Sequence, residues 1–177
     1  YLKLTNKETK PLKPLFKRWI QLNNEIPRMI PGSEALSKAA FERKVLITEL
    51  YRKSSACKVM AVKKVIKDMV SQGLKFIVFC YHKSFMDKME EACDGVDYIR
   101  IDGDTPVKKR QEYVDLFQEN KAQVAILSLL AASTGFTLTA TSLLIFAELN
   151  FVPGTMLQAE DRIHRIGQTE NVDIRYI

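Results

Sequence analysis

The distribution of apolar residues changes rhythm near Gly73. Before it, apolar positions recur at helical spacing. Leu15, Phe16, Trp19, Ile20 and Leu22 predict a short amphipathic helix over 12–26, closed by Pro27 and Pro31. Ser33 offers an N-cap for a second helix reaching about Tyr51, with Leu36, Ala39, Ala40, Val45, Leu46, Ile47 and Leu50 on its apolar side. Val59, Val62, Val65, Ile66, Met69 and Val70, set against Lys58, Lys63, Lys64 and Lys67, predict a third helix over 57–71, ended by Gly73. Residues 1–11 show no useful period and read as a tail.

After Gly73 strand and helix patterns alternate. Residues 75–81, Lys-Phe-Ile-Val-Phe-Cys-Tyr, form a nearly continuous apolar run, as expected of a strand buried on both faces. Further strands are predicted over 98–102, 123–129, 143–149 and 172–177, with helices over 83–93, 106–119 and from Pro153 to Gly167. Strands alternating with helices imply an α/β domain: a parallel sheet of about five strands flanked by helices over 56–177, with a helical appendage over 1–55. The appendage reads first as helices packed onto the domain's own surface, and second as a protrusion near a ligand or a neighbouring lobe.

Composition narrows this little. The chain has 177 residues, 46% of them hydrophobic, enough for one full core. A net charge of +6 favours a polyanionic partner without identifying it. Cys57, Cys80 and Cys93 are odd in number and lack metal-ligand spacing, so they read as buried small residues in a reducing compartment, and no metal site is expected. No apolar run approaches membrane-spanning length. The chain starts without Met and is expected to be a piece of a longer protein.

The chemistry concentrates in Gln158-Ala-Glu-Asp-Arg162-Ile-His-Arg165-Ile-Gly-Gln168. On a helical wheel Met156, Ala159, Ile163 and Ile166 form one apolar stripe. Gln158, Arg162 and Arg165 fall on a second face beside it, so two guanidiniums and an amide are expected to project next to the core. Planar, permanently charged forks of this kind suit phosphate recognition.

This stretch resembles motif VI of superfamily 2 helicases, in the form found in SWI/SNF-type DNA translocases. Other segments resemble the same family. Phe76-Ile-Val-Phe-Cys-Tyr-His82, followed by Lys83, is similar to motif IV. Ile99-Arg-Ile-Asp-Gly-Asp-Thr-Pro106, with Arg110 following, resembles the family's Ile-Asp-Gly segment. Ile126-Leu-Ser128-Leu-Leu-Ala-Ala-Ser-Thr-Gly135-Phe-Thr-Leu138 is similar to motif V, although Ala132 with Ser133 or Thr134 stands where paired glycines are common and Thr137 where Asn is. Ala147-Glu-Leu looks like the annealing-helicase branch, which acts on branched or stalled-fork DNA.

The resemblance implies the second RecA-like lobe of a nuclear, ATP-driven DNA motor. Arg162 and Arg165 would be catalytic arginine fingers, Gln158 and Gly135 would meet the nucleotide, and ATP with Mg²⁺ would be held mainly by a first lobe. His82, Lys83, Asp102, Gly103, Thr105, Arg110, Ser128 and Thr134 would lie along the DNA backbone. Read from the residues alone, Gly103 permits a tight turn, Thr105 can cap the helix opened by Pro106, and Glu148 has no acid or base partner. No phosphate-binding G-x-x-x-x-G-K-[ST] loop occurs, so the chain by itself is expected not to hydrolyse ATP. Two other readings stay open: the second lobe of an RNA helicase, and a non-catalytic lobe that binds DNA or protein.

Overall fold

The computed structural model describes residues 4–131, 137–163 and 167–177, which fall into two compact units divided between Lys58 and Val59. In the first, Thr5 and Glu8 close a reciprocal capping box on a single helical turn, α1 (Asn6–Thr9), where a featureless tail was expected. Helix α2 (Lys13–Glu25) runs into a short 3-10 turn, Ile26–Arg28, that carries Pro27. Leu22, Ala39 and Leu46 form a small core, and Arg18 grips Glu42 in a two-pronged pair at 2.7 and 2.8 Å.

The two helices predicted over 33–51 and 57–71 are one: α3 spans Glu34–Ser71, 38 residues. Ser33 does cap it, its hydroxyl accepting from the Leu36 N–H at 3.2 Å. Arg52-Lys-Ser-Ser-Ala56 lacks an apolar period but also lacks glycine and proline, so nothing there breaks the backbone. The Ser54 hydroxyl donates back to the Tyr51 carbonyl at 2.8 Å, so its polarity is absorbed within the helix.

The second unit is a parallel five-stranded sheet, β1 (Phe76–Cys80), β2 (Tyr98–Ile101), β3 (Val124–Ser128), β4 (Leu143–Phe146) and β5 (Asp173–Tyr176), in the order β2-β3-β1-β4-β5. Side chains alternate between two cores. Ile77, Phe79, Leu127, Leu144 and Phe146 face one side, where α5 (Val107–Gln118) contributes Val114 and Phe117 and α6 (Pro153–Glu160) contributes Met156 and Ala159. Phe76, Val78, Cys80, Ile126 and Ile145 face the other, covered by Val62, Ile66 and Met69 of α3 and by Phe85, Met86 and Met89 of α4 (Lys83–Glu90). Both faces are covered by helices, the arrangement of a RecA-like α/β lobe.

All strands point the same way, so the loops that follow them gather at one edge. Main-chain bonds knit the central exits there: Leu129 N–H donates to the Cys80 carbonyl at 2.8 Å and Ala147 N–H to the Phe79 carbonyl at 2.9 Å. At the opposite edge Thr141 donates to the Lys75 carbonyl at 2.6 Å, fixing the entry into β4 against that into β1. Among the described residues no helix is long and apolar enough to cross a membrane.

Phe79 is fully buried and stacks on Phe146, with ring centroids 5.5 Å apart, whereas Phe41 is 70% exposed. Phe79→Ala is expected to cost about 3–5 kcal/mol in denaturant unfolding, and Phe41→Ala less than about 0.5 kcal/mol. Similar losses in both would contradict this layering.

Candidate nucleotide and nucleic-acid site

The exit of β1 leads through Tyr81 and His82 into α4, and His82 is the residue that precedes its first turn. No side chain on that loop caps the helix. A carboxylate from another strand meets the loop instead: Glu148, beyond β4 and 1% exposed, accepts the Tyr81 and His82 N–H groups on Oε2, each at 2.8 Å. Its Oε1 lies 2.7 Å from His82 Nδ1. The sequence assigns Glu148 no acid or base role, because it places no second carboxylate or histidine with it. Its partners are 66 and 67 residues away and become neighbours only because β4 pairs with β1.

The β2 exit is held by its own side chains. Asp102 Oδ1 accepts from the Asp104 N–H at 3.0 Å and from the Thr105 hydroxyl at 3.2 Å, while Thr105 Oγ1 accepts the Asp102 N–H at 3.0 Å. Thr105 therefore does not cap α5. Pro106 occupies the capping position and no side chain bonds there, because the Thr105 hydroxyl is already committed inside the turn. Gly103 has an ordinary φ, and a Cβ there would meet nothing within 4 Å, so the turn depends on Asp102 and Thr105 and not on glycine. Arg110 reaches back from α5 to the carbonyls of Thr105 at 2.9 Å and Asp102 at 3.3 Å. Lys83 and Asp104 form an exposed ion pair, which raises the lysine's pKa.

Arg100 anchors this loop from below, donating to Asp87 at 2.7 Å, Glu90 at 2.5 Å and Asp102 at 3.0 Å. Burial pushes the Asp102 carboxyl up. The Arg100 guanidinium, the Asp104 N–H and the Thr105 hydroxyl together outweigh it and hold the group below the ordinary Asp value.

Ser128 is buried at the end of β3 and its hydroxyl accepts the Leu130 N–H at 3.3 Å. Thr134, Gly135 and Arg165 lie outside the described residues. Past β4, α6 starts at Pro153 but ends at Glu160, not at Gly167. Asp161 still bonds back to Leu157, whereas Arg162 N–H donates to Ala159 at 3.2 Å and Ile163 N–H to Glu160 at 3.1 Å. At these two residues the bonds take three-residue spacing, so the α-helical wheel no longer applies. Arg162 is 8% exposed, where a continuous helix predicted a guanidinium projecting beside the core. Gln158 is exposed as expected.

The chain after α6 is tied at both ends to the lead-in of β4. Leu138 N–H donates to the Arg162 carbonyl at 3.0 Å, and the Gln168 amide donates to the Thr141 carbonyl at 2.9 Å. Tyr176 of β5 donates to Glu160 Oε1 at 2.5 Å, a bond that with burial raises the phenol's pKa to about 12. Leu149, Phe151, Val152 and Leu157 are 46–61% exposed around the β4–α6 junction. Among the described residues no group of His, Cys, Asp and Glu could hold a metal ion.

Residues 57–167 match the family model for the helicase conserved C-terminal domain. The chain belongs to that family. Its similarity to SWI/SNF-type lobes, and to the annealing-helicase branch, extends to individual proteins. It is 42% identical over 135 residues to the Drosophila melanogaster SWI/SNF-related matrix-associated actin-dependent regulator of chromatin subfamily A-like protein 1, covering 75% of this chain and 18% of that protein. It is 44% identical over 136 residues to the Homo sapiens DNA annealing helicase and endonuclease ZRANB3, covering 75% of this chain and 13% of that protein. The crystal structure of the C-terminal part of the Fun30 ATPase domain superposes with a TM-score of 0.60 at 33% identity, over 67% of this chain and 39% of that one. The chain thus spans less than a fifth of the length of these curated relatives.

Because Asp102 titrates lower folded than unfolded, its contribution is complete above the unfolded value of about 3.9 and is lost as pH falls through the folded value. Asp102→Asn is expected to lower stability by about 1.5–3 kcal/mol at pH 7. The gap to the parent protein should narrow by about pH 3. Denaturant unfolding at both pH values measures this, and a constant gap would show that the carboxylate charge is not what holds the loop.

Proposed function

We propose that this domain is the second motor lobe of a nuclear, ATP-dependent translocase acting on double-stranded or branched DNA, and that it completes an ATP site held mainly on a first lobe. The observation that carries this reading is the Gln158–Gln168 segment, with an exposed amide on the helix that follows the β4 exit and Arg162 in the turn that closes it, in a member of this family. The exposed apolar residues at the β4–α6 junction support it, because they form the kind of surface a neighbouring lobe would cover. The donor set fits a triphosphate and not a divalent metal: amide and guanidinium groups bind oxyanions, so Mg²⁺ is assigned to the first lobe.

ATP, when bound, supplies the phosphoanhydride whose cleavage drives movement. Gln158 orients that nucleotide with the help of Gly135. Arg165 supplies positive charge to the transferring phosphoryl group, and Arg162 adds charge from beneath the surface, where low dielectric lengthens its reach. The loops bearing His82, Lys83, Asp102, Gly103, Thr105, Arg110, Ser128 and Thr134 follow the DNA backbone. Tracking of that kind is salt-sensitive and independent of base sequence. These loops follow β2, β3 and β1, which are neighbours in that order in the sheet, so they start in a row along one edge.

In the full-length protein, Arg165→Ala is expected to reduce DNA-stimulated ATP hydrolysis by about 10³-fold or more, with an unchanged melting temperature. Arg162→Ala should do the same to turnover but also lower the melting temperature, since its side chain is buried. Near-normal turnover in Arg165→Ala would refute the finger role, and stimulation by RNA in preference to DNA would refute the substrate. The chain alone should hydrolyse no ATP, and magnesium-dependent turnover by it would overturn the half-site account.

A further inference from the structure

Glu148 has no task in the function proposed above, yet it is a carboxylate 1% exposed at the end of a central strand. A buried carboxylate is costly unless its lone pairs are satisfied. Here they are: Oε2 takes two main-chain N–H groups and Oε1 faces the ring of His82, all within 2.8 Å. The side chain therefore determines both the backbone direction at Tyr81 and His82 and the rotation of the imidazole. A carboxylate at Nδ1 keeps the proton on that nitrogen, which fixes the tautomer. Tyr81 meets the ring edge-on at 5.1 Å.

Glu148 is also the residue at which β4 gives way to the approach to α6: Ala147 and Glu148 still bond to the Phe79 carbonyl, and Pro153 opens the helix shortly after. We propose that Glu148 is a positioning residue that sets the β1 exit loop, with His82 and Lys83, for contact with the DNA backbone and ties that loop to the strand leading into the nucleotide-side helix. This rests on the reading that the loop follows DNA. Glu148 itself touches neither ligand, and it acts through His82.

The test uses Glu148→Gln in the full-length protein. The amide keeps an oxygen for the two main-chain donors but turns an N–H₂ toward Nδ1, so it removes the charge from the His82 contact and reverses its donor and acceptor while sparing the backbone. ATP hydrolysis is followed as duplex DNA is titrated. The DNA concentration giving half-maximal stimulation is expected to rise about tenfold, the loss of one charge-assisted hydrogen bond. Hydrolysis without DNA and the melting temperature should not move. His82→Ala should raise the same concentration, and Glu148→Gln should add little on that background, since both changes remove one interaction. An unchanged half-activating concentration in Glu148→Gln, with or without a lowered melting temperature, would assign Glu148 to stability alone and overturn the proposal. Full additivity with His82→Ala would overturn it too. A parent protein that DNA does not stimulate would sink the proposed function together with this inference, whereas a normal Glu148→Gln beside a stimulated parent sinks the inference only.

Discussion

Strand β1 is hydrogen-bonded on both sides and covered on both faces, so every polar group it carries must be met by another main chain. That constraint explains the run Phe76-Ile-Val-Phe-Cys80, in which no position faces water. It also brings the β1, β3 and β4 exits side by side, because a parallel ladder fixes direction as well as register. Residues from three distant stretches of chain thereby share one edge, and the polar ones must be satisfied by each other.

They are satisfied in two different ways. At the β1 exit a single carboxylate from just beyond β4 serves two main-chain donors and a ring. At the β2 exit the turn is closed locally by Asp102 and Thr105, with Arg100 beneath and Arg110 above. The first arrangement transmits a shift of β4 directly to the β1 loop. The second closes its loop on itself, joins it to Lys83 at the β1 exit through Asp104, and ties it to α4 through Asp87 and Glu90. Several cations that composition marks as available for a polyanion are thus already engaged within the lobe: Arg100 fully, Arg110 with loop carbonyls, and Lys83 in a pair exposed enough for a phosphate to compete with Asp104.

The strand and helix rhythm after Gly73 was legible because burial on two faces leaves an unmistakable apolar density, and every predicted strand is present within a residue or two except β4, which stops at Phe146. What escaped the sequence was of two kinds. Local polar closure was misassigned: Thr105 has the right chemistry for a helix cap, but a hydroxyl can serve one turn, and the Asp102 turn takes it. Long-range pairing was invisible: nothing near Glu148 in the chain announces His82, and nothing between Tyr51 and Cys57 announces that a lapse in apolar period is still helix. Alternation reports faces. It does not report which exits meet.

The arginine-bearing segment shows where a helical wheel stops being a guide. A wheel holds only while each residue advances by the α-helical angle, and at Arg162 the bonds shorten to three-residue spacing. Arg162 is buried there instead of projecting from a flank, and Ile163 joins the same core as Ala159. This tightening has an external cause, since the Arg162 carbonyl accepts from Leu138 and the Gln168 amide donates to Thr141, so both ends of the segment answer to the lead-in of β4. That lead-in is the far end of the loop that leaves β3 at Ser128. The described ends of the two segments that resemble motifs V and VI are therefore bonded to one another, Leu138 to the Arg162 carbonyl and the Gln168 amide to Thr141. In the proposed function, coupling between the loops that follow DNA and the residues that meet the nucleotide would run through these bonds.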